Sequence, residues 1–245
     1  MEHKEYIRIV EGSKNAVLMI HGIAGSPAHF RELLPVVPED WSVYNILLDG
    51  HGGKVADFSA TSMKKWKAQV ADAVKQLLQR HETIVIVAHS MGTLFALQAA
   101  VDHPERVASL FLLAAPLRVR IAPNMVEGTL RVALKKTEGF KTAQEMVDDC
   151  SIDLDEMPHR YIGWAPRFVE LLEEIKRVRG ILPRVRIPCV AFQSEKDELV
   201  SVESAQDLQR NRRIEVLMLK NSGHFAYGPE DLELLQRRLR EMLKP

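Results

Sequence analysis

The apolar positions of this chain gather into short unbroken runs separated by longer stretches with helical spacing. Ala16–Ile20, Val43–Leu47, Thr83–Ala88, Val107–Leu113, Ile187–Gln193 and Ile214–Leu219 are mostly continuous rather than alternating. That is the pattern of parallel strands covered on both faces. Between the runs, Ser62–Arg80 spaces Trp66, Val70, Ala73, Val74 and Leu77 by threes and fours, and Val202–Arg210 predicts a further helix. Pro229 and Glu230 open a last helix with an apolar stripe of Leu232, Leu235, Leu239 and Met242. Tyr6–Val10 adds an antiparallel edge strand. Strands alternating with helices predict an α/β domain with a mostly parallel sheet and right-handed crossovers.

One segment interrupts this rhythm. From Leu117 to Arg186 no buried strand is predicted, and the clearest helix is Ala165–Arg179, with Phe168, Leu171, Leu172, Ile175 and Val178 on one side. Residues 117–183 carry eleven basic and eleven acidic side chains, so the segment is not a charged tail. The expected organisation is a core of residues 1–116 and 187–245 with a helical cap insertion over 117–186. No internal repeat or low-complexity stretch is present.

Composition narrows the classes of function. At 245 residues the chain can bury a large core without disulfide or metal support. Thirty-three basic and thirty-three acidic residues cancel, so charge gives no argument for nucleic acid or an anionic membrane. The two cysteines, Cys150 and Cys189, lack metal-ligand spacing and are read as free thiols. MEHKEYIRIV has no signal-like apolar region, and no run is long enough to span a bilayer. The expectation is a cytoplasmic protein without integral membrane association.

Ser90, in Ala88-His89-Ser90-Met91-Gly92, ends a buried apolar run and opens an apolar helix. That is the setting of a nucleophile elbow, which needs small residues two positions to either side. It is also the setting of an ordinary helix-capping serine. A nucleophilic serine needs a base, and the base an orienting acid. Of the later histidines, His103 and His159 fall in a turn and in the insertion, whereas His224 follows the last strand. The acid is expected in Ser194–Val200, where Asp197 is favoured, Glu195 is the runner-up and Glu198 is read as solvated. Oxyanion donors are expected at the backbone N–H of Met91 and of Ile23, in the glycine-bearing loop His21–Pro27. His21, His51 and His89 are read as loop supports.

These motifs together resemble an α/β-hydrolase of the small bacterial carboxylesterase and monoacylglycerol lipase group, over essentially the full length. His21-Gly22-x-x-Gly25-Ser26-Pro27 resembles its oxyanion loop, and Gly50-His51-Gly52 followed by Trp66 its second block. Ala88-x-Ser90-x-Gly92 matches the elbow except at Ala88, where glycine is usual. Ser194-x-x-Asp197-x-x-Val200 matches the acid loop with serine in place of glycine, and Gly223-His224 matches the histidine loop. Arg160–Pro188, with Val169, Leu172 and Leu182-Pro183, resembles the end of the carboxylesterase cap.

The resemblance implies the α/β-hydrolase fold and hydrolysis of a small-molecule carboxylic ester through an acyl-enzyme, with no metal or organic cofactor. Short- to medium-chain acyl esters or monoacylglycerols are the expected substrates. Met125, Met146, Trp164 and Phe168 are candidate acyl-chain contacts, each with an equal case for simple cap packing. The same triad supports aminopeptidases, amidases and thioesterases, and the scaffold supports non-catalytic binding proteins. Oligomeric state is not legible.

Overall fold

The computed structural model describes residues 3–120, 138–139, 141–154 and 157–244. Its seven strands are β1 (Tyr6–Arg8), β2 (Asn15–Ile20), β3 (Ser42–Ile46), β4 (Thr83–His89), β5 (Val107–Leu113), β6 (Cys189–Ser194) and β7 (Ile214–Leu219), in sheet order β1-β3-β2-β4-β5-β6-β7. Only β1 pairs antiparallel, with β3; every other neighbouring pair is parallel. The described helices are α1 (Val55–Ala60), α2 (Met63–Arg80), α3 (Met91–Asp102), α4 (Lys141–Asp149), α5 (Ala165–Ile181), α6 (Glu203–Gln209) and α7 (Pro229–Met242).

Alternate residues of the central strands feed two separate cores, as the period of a strand requires. Leu18, Ile20, Ile86, Leu110 and Leu112 face a layer that includes Trp66, Val70 and Val74 of α2, Leu94 and Leu97 of α3, and Ile175 and Val178 of α5. Val17, Met19, Val85, Val87, Phe111 and Phe192 face Phe30, Leu33 and, from α7, Leu235 and Leu239. Helix α3 lies under the sheet's centre with nine of its residues buried, which explains why its sequence is apolar almost all round.

Local chemistry accounts for the differences from the expected element ends. β1 stops at Arg8 because the Val10 amide donates to Ser42 Oγ (2.9 Å) rather than to a strand neighbour. β6 begins at Cys189 because Pro188 has no N–H to give to a ladder. Helix α1 was not predicted. It is six residues long, too short for periodicity, and is held by the Lys54 amide donating to Asp57 Oδ2 (2.7 Å) and by burial of Val55 and Phe58.

The described part of the stretch between β5 and β6 holds α4 and α5, joined by loops and short 3₁₀ turns, and none of the sheet's strands. The stripe of α5 is buried at Ile175 and Val178 and half-buried at Leu171. Phe168 and Leu172, expected on the same side, are 44% and 52% exposed. Burial thus begins one turn later than the periodicity suggests. Among the described residues no helix is long and apolar enough to cross a membrane.

Candidate active site

Three carboxyl ends of parallel strands converge on one end of the sheet: β4 at Ser90, β6 before Asp197 and β7 before His224. Ser90 has φ 49° and ψ −123°, a left-handed conformation that costs a non-glycine residue about 1–3 kcal/mol. The surroundings enforce it. The Ser90 amide donates to Leu113 O (2.9 Å), while Ser90 O accepts from the Thr93 amide (3.0 Å) and Thr93 Oγ1 (2.7 Å). Its side chain makes no capping bond to α3, so the hydroxyl is not spent as a helix cap.

The turn is tight on both sides. A Cβ on Gly92 would run into the Ile20 carbonyl oxygen, and one on Gly22 would sit 2.9 Å from Ser90 Cβ. Ala88 is fully buried between Ile20 and Leu112 in the ladder, where the small side chain is accommodated in place of glycine.

Ser90 Oγ donates to His224 Nε2 at 3.1 Å. On the other side of the ring, His224 Nδ1–H donates to Asp197 Oδ2 (2.9 Å) and Oδ1 (3.0 Å). The partners therefore assign the tautomer that leaves Nε2 free to accept a proton. Asp197 is buried, and its Oδ1 also accepts from the amides of Leu199 (2.8 Å) and Val200 (2.7 Å). Glu195 is exposed, and so are His103 and His159. Burial disfavours the His224 imidazolium. The charge and hydrogen bond of Asp197 outweigh this, with Asp149 and Glu198 adding to them, and the pKa is held above the ordinary histidine value.

The loop that carries His224 is itself fastened down. Ser222 Oγ and the Asn221 amide both donate to Asp231 Oδ2 (each 2.7 Å), at the start of α7. Ser194, which stands where the resembled family has glycine, donates through its hydroxyl to Ser222 O. The peptide of His224 is gripped at both ends. Its N–H donates to Glu198 Oε2 (2.8 Å), and its carbonyl accepts from His89 Nε2–H (3.1 Å). Glu198 is thus not the solvated loop carboxylate that its neighbours in sequence suggest. A short acidic cluster gives no sign of which member turns inward.

The loop after β2 is held by two more histidines. His21 Nδ1–H donates to Gly22 O (2.8 Å) and Nε2 accepts from the Leu48 amide (3.0 Å). His51 Nε2 accepts from the Ala24 amide (3.1 Å), and its Nδ1–H donates to Leu48 O (3.1 Å). Desolvation by burial drives His21 and His89 well below the ordinary value and His51 to about 4. All three are neutral supports. Ile23 lies on this loop, and Met91 N is in the first turn of α3, where amides have no intrahelical acceptor.

The candidate acyl contacts fare differently. Trp164 donates its indole N–H to Val55 O (3.2 Å) and packs on Phe58 with ring centroids 4.6 Å apart, so its side chain joins the insertion to α1. Phe168 lies at the surface. Met125 is outside the described residues, as is the side chain of Met146. Sequence reasoning missed the group around His29, whose partners are 120 and 198 positions away.

Comparison with known proteins agrees with this architecture. Residues 15–149, more than half of the chain, match the sequence profile described as alpha/beta hydrolase fold. A thermostable monoacylglycerol lipase of Bacillus sp. (strain H-257) is 25% identical over 93% of this chain and 90% of its own length. A carboxylesterase of Bacillus subtilis (strain 168) is 23% identical over 96% and 94%. A solved structure from work on LipS and LipT, two metagenome-derived lipolytic enzymes, superposes with a TM-score of 0.74 at 24% identity, covering 98% of this chain and 97% of that one. The chain belongs to the α/β-hydrolase fold family.

Proposed function

We propose that the protein is a serine esterase that cleaves small carboxylic esters through an acyl-enzyme, with Ser90 as nucleophile, His224 as general base and Asp197 as its orienting acid. The observation that carries this reading is the unbroken bond path Ser90 Oγ–His224–Asp197, at 3.1 and 2.9 Å, on a positive-φ turn whose serine hydroxyl makes no helix-capping bond.

Ser90 Oγ attacks the ester carbonyl carbon while His224 Nε2 takes the hydroxyl proton. Asp197 faces the resulting imidazolium across Nδ1 and stabilises it. The carbonyl oxygen becomes an oxyanion, which the amides of Ile23 and Met91 receive as donors. Collapse breaks the bond to the alcohol oxygen, and His224 passes its proton to that oxygen. Water then attacks the acyl carbon, giving a proton to Nε2, and the second collapse returns that proton to Ser90 as the acid leaves. General base and oxyanion donors are each worth about 10²-fold or more.

In this reading the described part of the 117–186 insertion, whose α4 end bonds to the loops beside Ser90, serves as the cap of the site. Short- to medium-chain acyl esters or monoacylglycerols are the substrates of this reading, supported by similarity to one relative named a monoacylglycerol lipase and one named a carboxylesterase. The test is a fluorophosphonate probe on native protein and on Ser90→Ala, followed by an ester panel graded by acyl length with matched aminoacyl anilides and thioesters. Labelling lost in the variant, with esters turned over fastest, is expected. Equal labelling removes Ser90 from its role, and faster amide cleavage replaces the esterase reading with an amidase.

A further inference from the structure

A second buried polar group lies beside the site and takes no part in the steps above. His29, in the short 3₁₀ turn Pro27–Phe30, is buried and uses both ring nitrogens. Its Nδ1–H donates to Asp149 Oδ1 (2.9 Å), on the last residue of α4. Its Nε2 accepts from the Tyr227 hydroxyl (2.9 Å), in the loop that carries His224. Its face stacks on His89, with centroids 3.7 Å apart and the planes 20° from parallel. His89 is the residue whose Nε2–H holds the His224 carbonyl.

One ring therefore touches the insertion, the histidine loop and the end of β4. The chain just past Asp149 is anchored to the same neighbourhood. The Ser151 amide donates to Ala24 O (3.0 Å) and its hydroxyl to Gly25 O (2.7 Å), while the Gly52 amide donates to Ser151 Oγ (3.2 Å). The Asp153 amide donates to Gly53 O (2.8 Å). Docking of this segment and fixing of His224 are thus parts of one bonded unit.

We propose that His29, Asp149 and Tyr227 are positioning residues that make alignment of His224 conditional on docking of the α4 end onto the loops around Ser90. The proposal rests on the assignment of His224 as the general base. In this arrangement the insertion does more than roof the pocket. When Asp149 leaves His29, the ring loses the partner that sets its tautomer and tilt, and with it the platform under His89 and the anchor of Tyr227.

The arrangement also has an electrostatic signature. The charged or titratable groups that face His224 are Asp197 and Glu198 from the acid loop, Asp149 from α4 and His89 from β4. Those that face His29 are Asp149, Tyr227, His89 and His21. Asp149 is the carboxylate that belongs to the insertion, and its charge favours the His224 imidazolium.

The experiment measures kcat and KM for a short-chain p-nitrophenyl ester as a function of pH in the native protein and in His29→Leu, His29→Gln, Tyr227→Phe and Asp149→Asn, with circular dichroism to verify folding. His29→Leu and Tyr227→Phe should lower kcat by about tenfold or more with KM little changed, the mark of a misplaced reacting group. His29→Gln, which keeps one donor and one acceptor, should recover most of the loss. Asp149→Asn should move the acid limb of kcat/KM to lower pH, because the imidazolium loses a negative neighbour; Tyr227→Phe should leave that limb in place. If His29→Leu does not fold, the near-isosteric Tyr227→Phe and Asp149→Asn decide. Native kcat in Tyr227→Phe together with an unmoved limb in Asp149→Asn overturns the proposal, as does a rise in KM at constant kcat. Native protein that turns over no ester overturns the assignment of the base itself, a result distinct from variants that match an active native enzyme.

Discussion

Replacing Gly92 by alanine probes the elbow more directly than removing Ser90, since it leaves every reacting group in the chain. The new Cβ would lie 2.8 Å from the His21 carbonyl oxygen and 2.8 Å from the Ile20 carbonyl carbon, and closer still to the Ile20 oxygen. Carbon contacts settle at about 3.5 Å or beyond, so α3 and the end of β2 must part by about 1 Å. All of these atoms are backbone in a buried ladder, and no flexible side chain can yield in their place. Overpacking of this kind costs about 1–3 kcal/mol, or ~2–10 °C in Tm for a chain of this size. A displacement of 1 Å at a reacting atom costs about 10²-fold in rate. The assay pairs thermal melting with the second-order rate of fluorophosphonate labelling. Gly180→Ala is the control: no atom lies within 4 Å of its Cβ in α5, and the helix should gain ~0.5–1 kcal/mol. Native Tm and native labelling in Gly92→Ala would refute the claim that this glycine is dictated by the close approach of β2.

Other outcomes follow from the same contacts. Asp197→Asn should lower kcat by roughly 10³–10⁴-fold, from the wrong tautomer at His224, while Glu195→Gln should stay near native; the reverse order in ester turnover would reassign the acid. Glu198→Ala frees the His224 amide and should cost about tenfold or more in kcat, whereas Glu198→Gln, which keeps an acceptor, should cost less; equal losses would mean that charge and not the hydrogen bond matters. Acid should destabilise the fold through the neutral histidines. The folded pKa of His51 lies near 4 against 6.5 unfolded, so the unfolded state takes up the proton first, and ~3 kcal/mol is lost as pH falls through that window. His224 acts in the opposite sense: its pKa is raised, its contribution is complete below the ordinary value, and it is lost as pH rises through the folded one. Urea midpoints across this range should fall toward acid, and fall more steeply in His224→Ala; a flat profile contradicts both signs.

How much of this was legible in the sequence depends on the range of the interactions. The strand–Ser90–helix turn can be read locally, because a buried strand, a tight turn and a buried helix each demand their own residue types within a few positions. Asp197 and His224 were legible by their place after strands. Between Asp197 and Glu195 the decision rests on two backbone amides, Leu199 and Val200, that a sequence does not display. Glu198 escaped for a similar reason, since its partner is the amide of His224, which any residue presents; His89 was read as a loop support, but the carbonyl it holds could not be named. Helical periodicity marked α5 correctly but could not say where along the helix its neighbours begin, so Phe168 was expected inward and lies at the surface. His29, Asp149 and Tyr227 form no motif, and only the folded chain brings them together.

The central claim is that Ser90 carries the acyl group during turnover. Native protein mixed with a p-nitrophenyl ester and quenched during the burst should gain the mass of the acyl group, and peptide mapping should find it on the fragment that contains Ser90. Ser90→Ala should show neither the burst nor the adduct. An acyl group mapped to another residue, or a burst undiminished in Ser90→Ala, would contradict the account.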